Sequence, residues 1–299
     1  MLTGLHILLS YKCIFECDHC FLYSGPGAEG TFTLSQMRQV YNEAEKIGTV
    51  NTFYFEGGEA FLFYPLLLES VREARKRGFK VGIVTNAYFA TSEENADLWL
   101  RPLAALGIAD FTVSDDAFHF GDEVANAAKR ARKAAEALGI PTGAISLEEP
   151  TVQIGQDEAN KGQPVVSGGV MFRGRAVETL TAGLPTRAWV SFTECPYEKL
   201  ESPGRVHLDA YGNVHLCQGL SMGNMWTTPL STLVKDYDPA AHPIVGPLMR
   251  GGPAALTRAH NVAHEAGYVD ACHLCYAARL ALLDRFPQVL APRQVYGLA

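Results

Sequence analysis

Over its first 180 residues the sequence alternates short apolar runs with amphipathic stretches at helical spacing, and this alternation restricts the fold more than any other feature. Strand candidates are Leu5–Leu9, Thr52–Phe55, Lys80–Val84, Asp110–Val113, Thr142–Leu147 and Gly169–Phe172. Between them, Leu34–Ile47 carries Leu34, Met37, Val40, Ala44 and Ile47 on one face, behind a Thr33/Gln36 capping box. Leu66–Arg77 ends on Gly78, a natural C′ residue. Thr91 and Glu94 form a second capping box before a helix to about Leu106, with a kink expected at Pro102. A fourth helix spans about Asp122 to Leu138 and ends on Gly139. Repeated βα units require parallel strands joined by right-handed crossovers. The expected fold is therefore α/β, a partial barrel or an open α/β sheet over residues 1–185. The aperiodic, polar stretch Glu148–Ser167 reads as a long loop over one barrel mouth.

After about Arg175 the alternation stops. Arg205–Leu208 and Asn213–Leu216 flank Ala210-Tyr211-Gly212 and read as a β-hairpin. Helical stretches follow at about Ala254–Ala266 and Cys272–Phe286, giving a small α+β module over residues 186–299.

Seven cysteines fall into two groups: Cys13, Cys17 and Cys20, then Cys195, Cys217, Cys272 and Cys275. An odd total without a secretion signal argues against a disulfide framework and for metal ligation. Three thiolates leave one iron of a four-iron cluster open to a small molecule, whereas four close a cluster. For the second group, a zinc ribbon has the same Cys-x2-Cys spacing, so iron–sulfur and zinc both stand.

Composition removes other classes. With 25 Lys+Arg against 32 Asp+Glu, the chain's net charge of −7 disfavours nucleic acid. The longest apolar run, Phe61–Leu68, is far short of the roughly 18 residues that span a bilayer. The first ten residues lack a cationic n-region and a cleavage site, so a cytoplasmic protein is expected.

In α/β barrels the chemistry sits at the C-terminal ends of the strands. Here those ends carry Cys13-Ile-Phe-Glu-Cys17-Asp-His-Cys20, Glu56-Gly57-Gly58-Glu59, Thr85-Asn86, Ser114-Asp115-Asp116, Ser146 with Glu148, and Arg173-Gly174-Arg175. Glu56 reads as a pocket acid or a helix-cap partner, and His119 as a substrate-facing or a loop-bonded imidazole. Arg173 and Arg175 read as a carboxylate clamp or a surface pair.

The C-x3-C-x2-C motif after the first strand, with Gly-Gly-Glu ending the second, resembles the radical S-adenosylmethionine superfamily. That resemblance covers about residues 5–180 and implies a partial (β/α)6 TIM-like barrel there. It implies a [4Fe–4S] cluster on Cys13, Cys17 and Cys20 that binds S-adenosylmethionine through its open iron. It further implies cofactor contacts from His19, Gly57, Gly58, Glu59, Asn86, Ser114 and Asp115; Arg173 is a further cofactor-binding candidate, and Glu56, an unusual acid beside the glycines, and His119 are candidate catalytic residues. Ala60 departs from the pattern where a proline is common.

Cys195, sixteen residues to Gly212, four more to Cys217 and then Cys272-x2-Cys275 resemble a Twitch module, the shortened relative of SPASM. This implies one auxiliary [4Fe–4S] cluster. The resemblance further implies reduction by flavodoxin or ferredoxin, a 5′-deoxyadenosyl radical, and hydrogen abstraction from a small metabolite or natural-product intermediate. Maturation of a ribosomal peptide, by cross-linking or epimerisation, is the alternative; a non-enzymatic metal protein is a third. With all seven cysteines used, no thiol is left to quench an epimerised radical. With the triad beginning at residue 13, no leader-peptide-binding domain is expected before the barrel.

Overall fold

Strand β1 (Gly4–Ser10) sets the architecture because its alternate residues face different surroundings. Leu5, Ile7 and Leu9 are fully buried in the main core, while Leu8 lines a cavity on the opposite face. The computed structural model describes residues 1–298 apart from 122, 157, 159 and 160. In chain order its elements continue with α1 (Leu34–Ile47), β2 (Thr52–Gly57), α2 (Tyr64–Lys76), β3 (Lys80–Thr85), α3 (Glu93–Ala105) and β4 (Asp110–Ser114). Then come α4 (Ala117–Phe120), α5 (Ala127–Ala137) and β5 (Thr142–Ile145). Strands β1 to β5 pair in sequence order and all run parallel. The amphipathic faces of α1, α2, α3 and α5 supply Met37, Leu67, Leu100 and Ala131 to the core that covers this sheet.

Three local expectations are corrected. The cap of α3 is Ser92, whose side chain accepts from Asn95 N; Thr91 instead accepts from the Asn95 side chain. Helix α5 starts at Ala127, capped by Asn126; the expected start at Asp122 lies outside the described residues. The stretch read as a loop carries an antiparallel hairpin of β6 (Val152–Ile154) and β7 (Pro164–Val166). Its residues 157, 159 and 160 lie outside the described set.

The sixth barrel strand is not where the sequence pattern put it. Gly169–Phe172 forms no strand: Gly168 and Gly169 take positive φ, and Val170 and Phe172 pack with Ala176 and Val269. The sixth parallel strand is β9 (Arg205–Asp209), which pairs with the other edge of β1. The connecting stretch holds α6 (Ala176–Thr179) and β8 (Arg187–Ala188). Beyond β9, β10 (Asn213–Cys217) and β11 (Leu220–Asn224) turn antiparallel and complete an eight-stranded sheet, β11-β10-β9-β1-β2-β3-β4-β5. The expected hairpin therefore exists, but it extends the barrel sheet.

After β11 come α7 (Leu230–Asp236), α8 (Val245–His260), β12 (Gly267–Tyr268) and α9 (Ala271–Leu282), then a 3-10 turn at Arg293–Tyr296. Helix α8 starts earlier than expected and is broken at Gly251 and Gly252. Strand β12 pairs with β8. Among the described residues no helix is long and apolar enough to cross a membrane.

Candidate functional site

The loop after β1 is shaped before any ligand is considered. Cys13 N donates to Gly25 O (3.1 Å) and Cys20 N to Cys17 O (3.0 Å), folding residues 13–25 back on themselves. Arg175 fastens the fold: its N donates to Cys20 O, and its guanidinium to Cys17 O and Ser24 O, both at 2.8 Å. Gly174 lies so close that a Cβ would stand 2.4 Å from Phe21 Cα. Sequence reading grouped Arg175 with Arg173 as a possible clamp; it holds the cysteine loop instead.

Gly57 and Gly58 are glycines for a related reason. A Cβ at Gly57 would meet Ser10 O at 2.4 Å, and one at Gly58 would meet Lys12 O at 2.4 Å. Gly58 N and Glu59 N donate to Ser10 O (2.7 Å) and Lys12 O (2.9 Å). The close approach they permit is therefore first to the cysteine loop itself.

These constraints bring Cys13, Cys17 and Cys20 to one cavity of about 190 Å³. Its walls include His19, Glu56, Gly57, Gly58, Asn86, Ser114 and His119. Asn86 Nδ2 donates to Cys13 Sγ (3.6 Å), and His119 Nδ1 pairs with Asp116 Oδ1 (2.7 Å).

Three other residues expected here stand elsewhere. Glu59 is buried beneath the cavity, accepting from Phe61 N, Thr85 Oγ1 and Asn86 N at 2.8–2.9 Å, and so ties the end of β2 to that of β3. Asp115 accepts from Asn126 Nδ2 (2.7 Å) at the start of α5. Arg173 points to the other cysteine group.

Burial sets the electrostatics. It pushes the Cys13 and Cys17 thiols up to about 11 and about 12, so without a metal they hold their protons. Burial likewise lowers His19 to about 4, leaving a neutral ring whose Nδ1 is buried without a partner. Three soft donors without a disulfide and an orphaned ring nitrogen suit a three-cysteine cluster carrying a bound small molecule.

The second group converges as well. Cys195, Cys217 at the end of β10, and Cys272 and Cys275 in the first turns of α9 line a small cavity of about 20 Å³. Arg173 Nη1 donates to Cys217 Sγ (3.0 Å), and Arg279, 1% exposed, lines the same space and donates to Gln218 O. Burial raises the thiols of Cys195, Cys272 and Cys275, the last to about 11. Two buried guanidiniums beside four sulfurs compensate a site that becomes anionic once the thiols deprotonate. Sequence reading missed Arg279; its place seven residues after Cys272 in a helical pattern was the available signal.

Residues 7–148 match the family described as Radical SAM superfamily. That match covers just under half of the chain, which is an enzyme. The chain is 26% identical over 113 residues to the putative peptide biosynthesis protein YydG of Bacillus subtilis strain 168, over 38% of this chain and 35% of that one. It is 31% identical over 104 residues to the tungsten-containing aldehyde ferredoxin oxidoreductase cofactor-modifying protein of Pyrococcus furiosus, over 35% of this chain and 28% of that one. The matched stretch thus spans about a third or less of each curated relative. In fold, the chain is similar to BtrN, crystallised with AdoMet and 2-DOIA: TM-score 0.51, 14% identity, covering 79% of this chain and 83% of that one.

Proposed function

We propose that this enzyme binds S-adenosylmethionine at a [4Fe–4S] cluster on Cys13, Cys17 and Cys20 and oxidises or rearranges a small metabolite or natural-product intermediate. The observation that carries this reading is the convergence of those three sulfurs with Gly57, Gly58, Asn86 and Ser114 on one cavity. When bound and reduced by one electron, such a cluster supplies a 5′-deoxyadenosyl radical that takes a hydrogen atom from an unactivated C–H bond. The protein's share is positional. Arg175 fixes the cysteine loop, and Glu59 fixes the two strand ends that face it. Asn86 points an amide at Cys13, and the neutral His19 ring offers an unpaired nitrogen to the cofactor. Enclosure by Phe15, Phe21 and Leu147 keeps water from the reacting atoms.

In this reading the segments that carry Cys195, Cys217, Cys272 and Cys275, of which β10 continues the barrel sheet, hold a second [4Fe–4S] cluster on those four cysteines. Tetrahedral zinc holds sulfurs about 2.3 Å away, hence about 3.8 Å from one another. Among the described residues, the sets of three ligand atoms within 4.8 Å of one another contain no cysteine, which favours the larger iron–sulfur cage. Arg173 stands between the centres, on Cys217 and 5.1 Å over the Phe21 ring. An electron leaving a substrate radical would reach the auxiliary centre by this side, making the net reaction an oxidation. The electron donor is a flavodoxin or ferredoxin.

Peptide maturation is the second reading, favoured by the likeness to a putative peptide biosynthesis protein. Anaerobic turnover with candidate substrates separates the two: mass loss of two hydrogens in a small alcohol or amine supports the first, and modification only of a ribosomal peptide supports the second.

A further inference from the structure

Deeper in the barrel lumen lies a side-chain cluster that this chemistry does not use. Parallel register sets His6 on β1 directly beside Tyr54 on β2 and His207 on β9. Neighbours in register share a face, so the two imidazoles stand on the same side of the sheet. Glu56, two residues beyond Tyr54, swings its carboxylate between them. Glu56 Oε1 lies 3.3 Å from His6 Nδ1 and 3.0 Å from His207 Nε2. All three ligand atoms fall within 4.8 Å of one another.

We propose that His6, Glu56 and His207 form a binding site for one divalent transition-metal ion, opening toward the cavity that holds Cys13, Cys17 and Cys20. The spacing suits it. Nitrogen and oxygen ligands about 2.1 Å from one ion lie roughly 3.0–3.4 Å from their neighbours. Two imidazoles and a carboxylate on one side, with the remaining positions open, select zinc or ferrous iron over calcium or magnesium.

The surroundings support the three ligands. The His6 ring stacks on Tyr54, centroids 4.9 Å apart and planes 18° apart, which fixes its orientation. Tyr54 in turn occupies the space a Cβ at residue 82 would take, so Gly82 is what lets it lie there. Gln218 is 5% exposed; its Nε2 lies 3.4 Å from His207 Nε2, and its Oε1 is buried without a partner. Turning that amide over presents the idle oxygen to the same place, as a fourth ligand or as an acceptor that orients a bound water. Side-chain exposures of 18%, 19% and 9% for His6, Glu56 and His207 leave the site reachable from the lumen yet sheltered.

Because Glu56 lines both the metal site and the cysteine cavity, an ion here would hold a hydroxyl, carbonyl or carboxylate of the substrate. That role rests on the function proposed above; binding of the ion does not.

The test is metal content. Iron-loaded protein and its Glu56→Gln and His207→Ala variants are equilibrated with buffered zinc, freed of unbound metal, and measured for zinc and iron by mass spectrometry. The wild type is expected to carry about one zinc per chain more than either variant, at equal iron. Equal zinc in all three proteins overturns the proposal. If a variant fails to keep its iron, His6→Phe, which preserves the stack on Tyr54, takes its place in the same comparison. Zinc content is read without turnover, so failure of the cofactor chemistry and failure of this site are distinguishable.

Discussion

The two cysteine groups solve opposite problems with the same side chain. Cys13, Cys17 and Cys20 sit on one loop and line a 190 Å³ cavity, and among the described residues no guanidinium lines that space. Cys195, Cys217, Cys272 and Cys275 come from three separate segments, line a cavity of about 20 Å³, and have Arg173 and Arg279 against them. An open site leaves one metal position for a small molecule; a closed, charge-compensated site holds its metal for structure or for electrons. The difference lies in how many ligands converge and in what neutralises them.

Removing ligands should separate the groups most sharply. Changing Cys13, Cys17 or Cys20 to Ala is expected to abolish S-adenosylmethionine cleavage, a loss on the order of 10³-fold or more. Changing Cys272 to Ala should leave a good part of that cleavage while stopping substrate turnover. Iron content should fall from about eight to about four per chain in either case, two four-iron clusters being reduced to one. Equal loss of cleavage from both sets would break the distinction.

Next in size is the charge compensation. Arg279→Met leaves the deprotonated sulfurs short of one buried cation, costing about 3–5 kcal/mol, the magnitude for breaking a buried charge pair. Anaerobic melting with an iron assay should show a lower transition and selective loss of the second four irons. Arg175→Met removes hydrogen bonds to Cys17 O and Ser24 O but no charge partner of a cysteine, and should instead lower cleavage.

The smallest effect concerns Glu59. Burial lifts its carboxyl from 4.5 to about 6, although three hydrogen bonds pull the other way. A raised folded value means stabilisation fully present below pH 4.5 and lost as pH rises through about 6. The shift corresponds to about 2 kcal/mol. Against Glu59→Gln, which does not titrate, the wild type should therefore lose stability across that window. A parallel pH dependence of melting in the two proteins would count against the buried strut.

Local pattern carried much of this into view. Strands β1 to β5 were legible because each is an apolar run bounded by a cap or glycine, and α1 matched to the residue because Thr33 and Gln36 do form the capping box. The sheet's other half was not. Pairing of β9 with β1 joins residues about two hundred apart, which no local period encodes. Gly169–Phe172 is apolar enough for a strand, but Phe172 N reaches Asp270 Oδ2 (3.5 Å) and Val170 packs near Val269, so long-range contacts claim it. The cavity's cysteines, Gly57, Gly58, Asn86 and Ser114 could be named because they lie at strand ends. Glu59 and Asp115 lie there too; only the side-chain directions, fixed by Thr85, Asn86 and Asn126, turn them away. The partnership of His6 with Glu56 and His207 needed the register of three strands before it could be seen.

One measurement bears most directly on the open three-cysteine centre. Iron-loaded protein is mixed anaerobically with S-adenosylmethionine and dithionite, and 5′-deoxyadenosine is quantified against the Cys17→Ala variant. Formation of 5′-deoxyadenosine by the wild type and not by the variant is the expected result. A wild-type protein that holds its iron yet releases no 5′-deoxyadenosine above the variant would contradict the assignment.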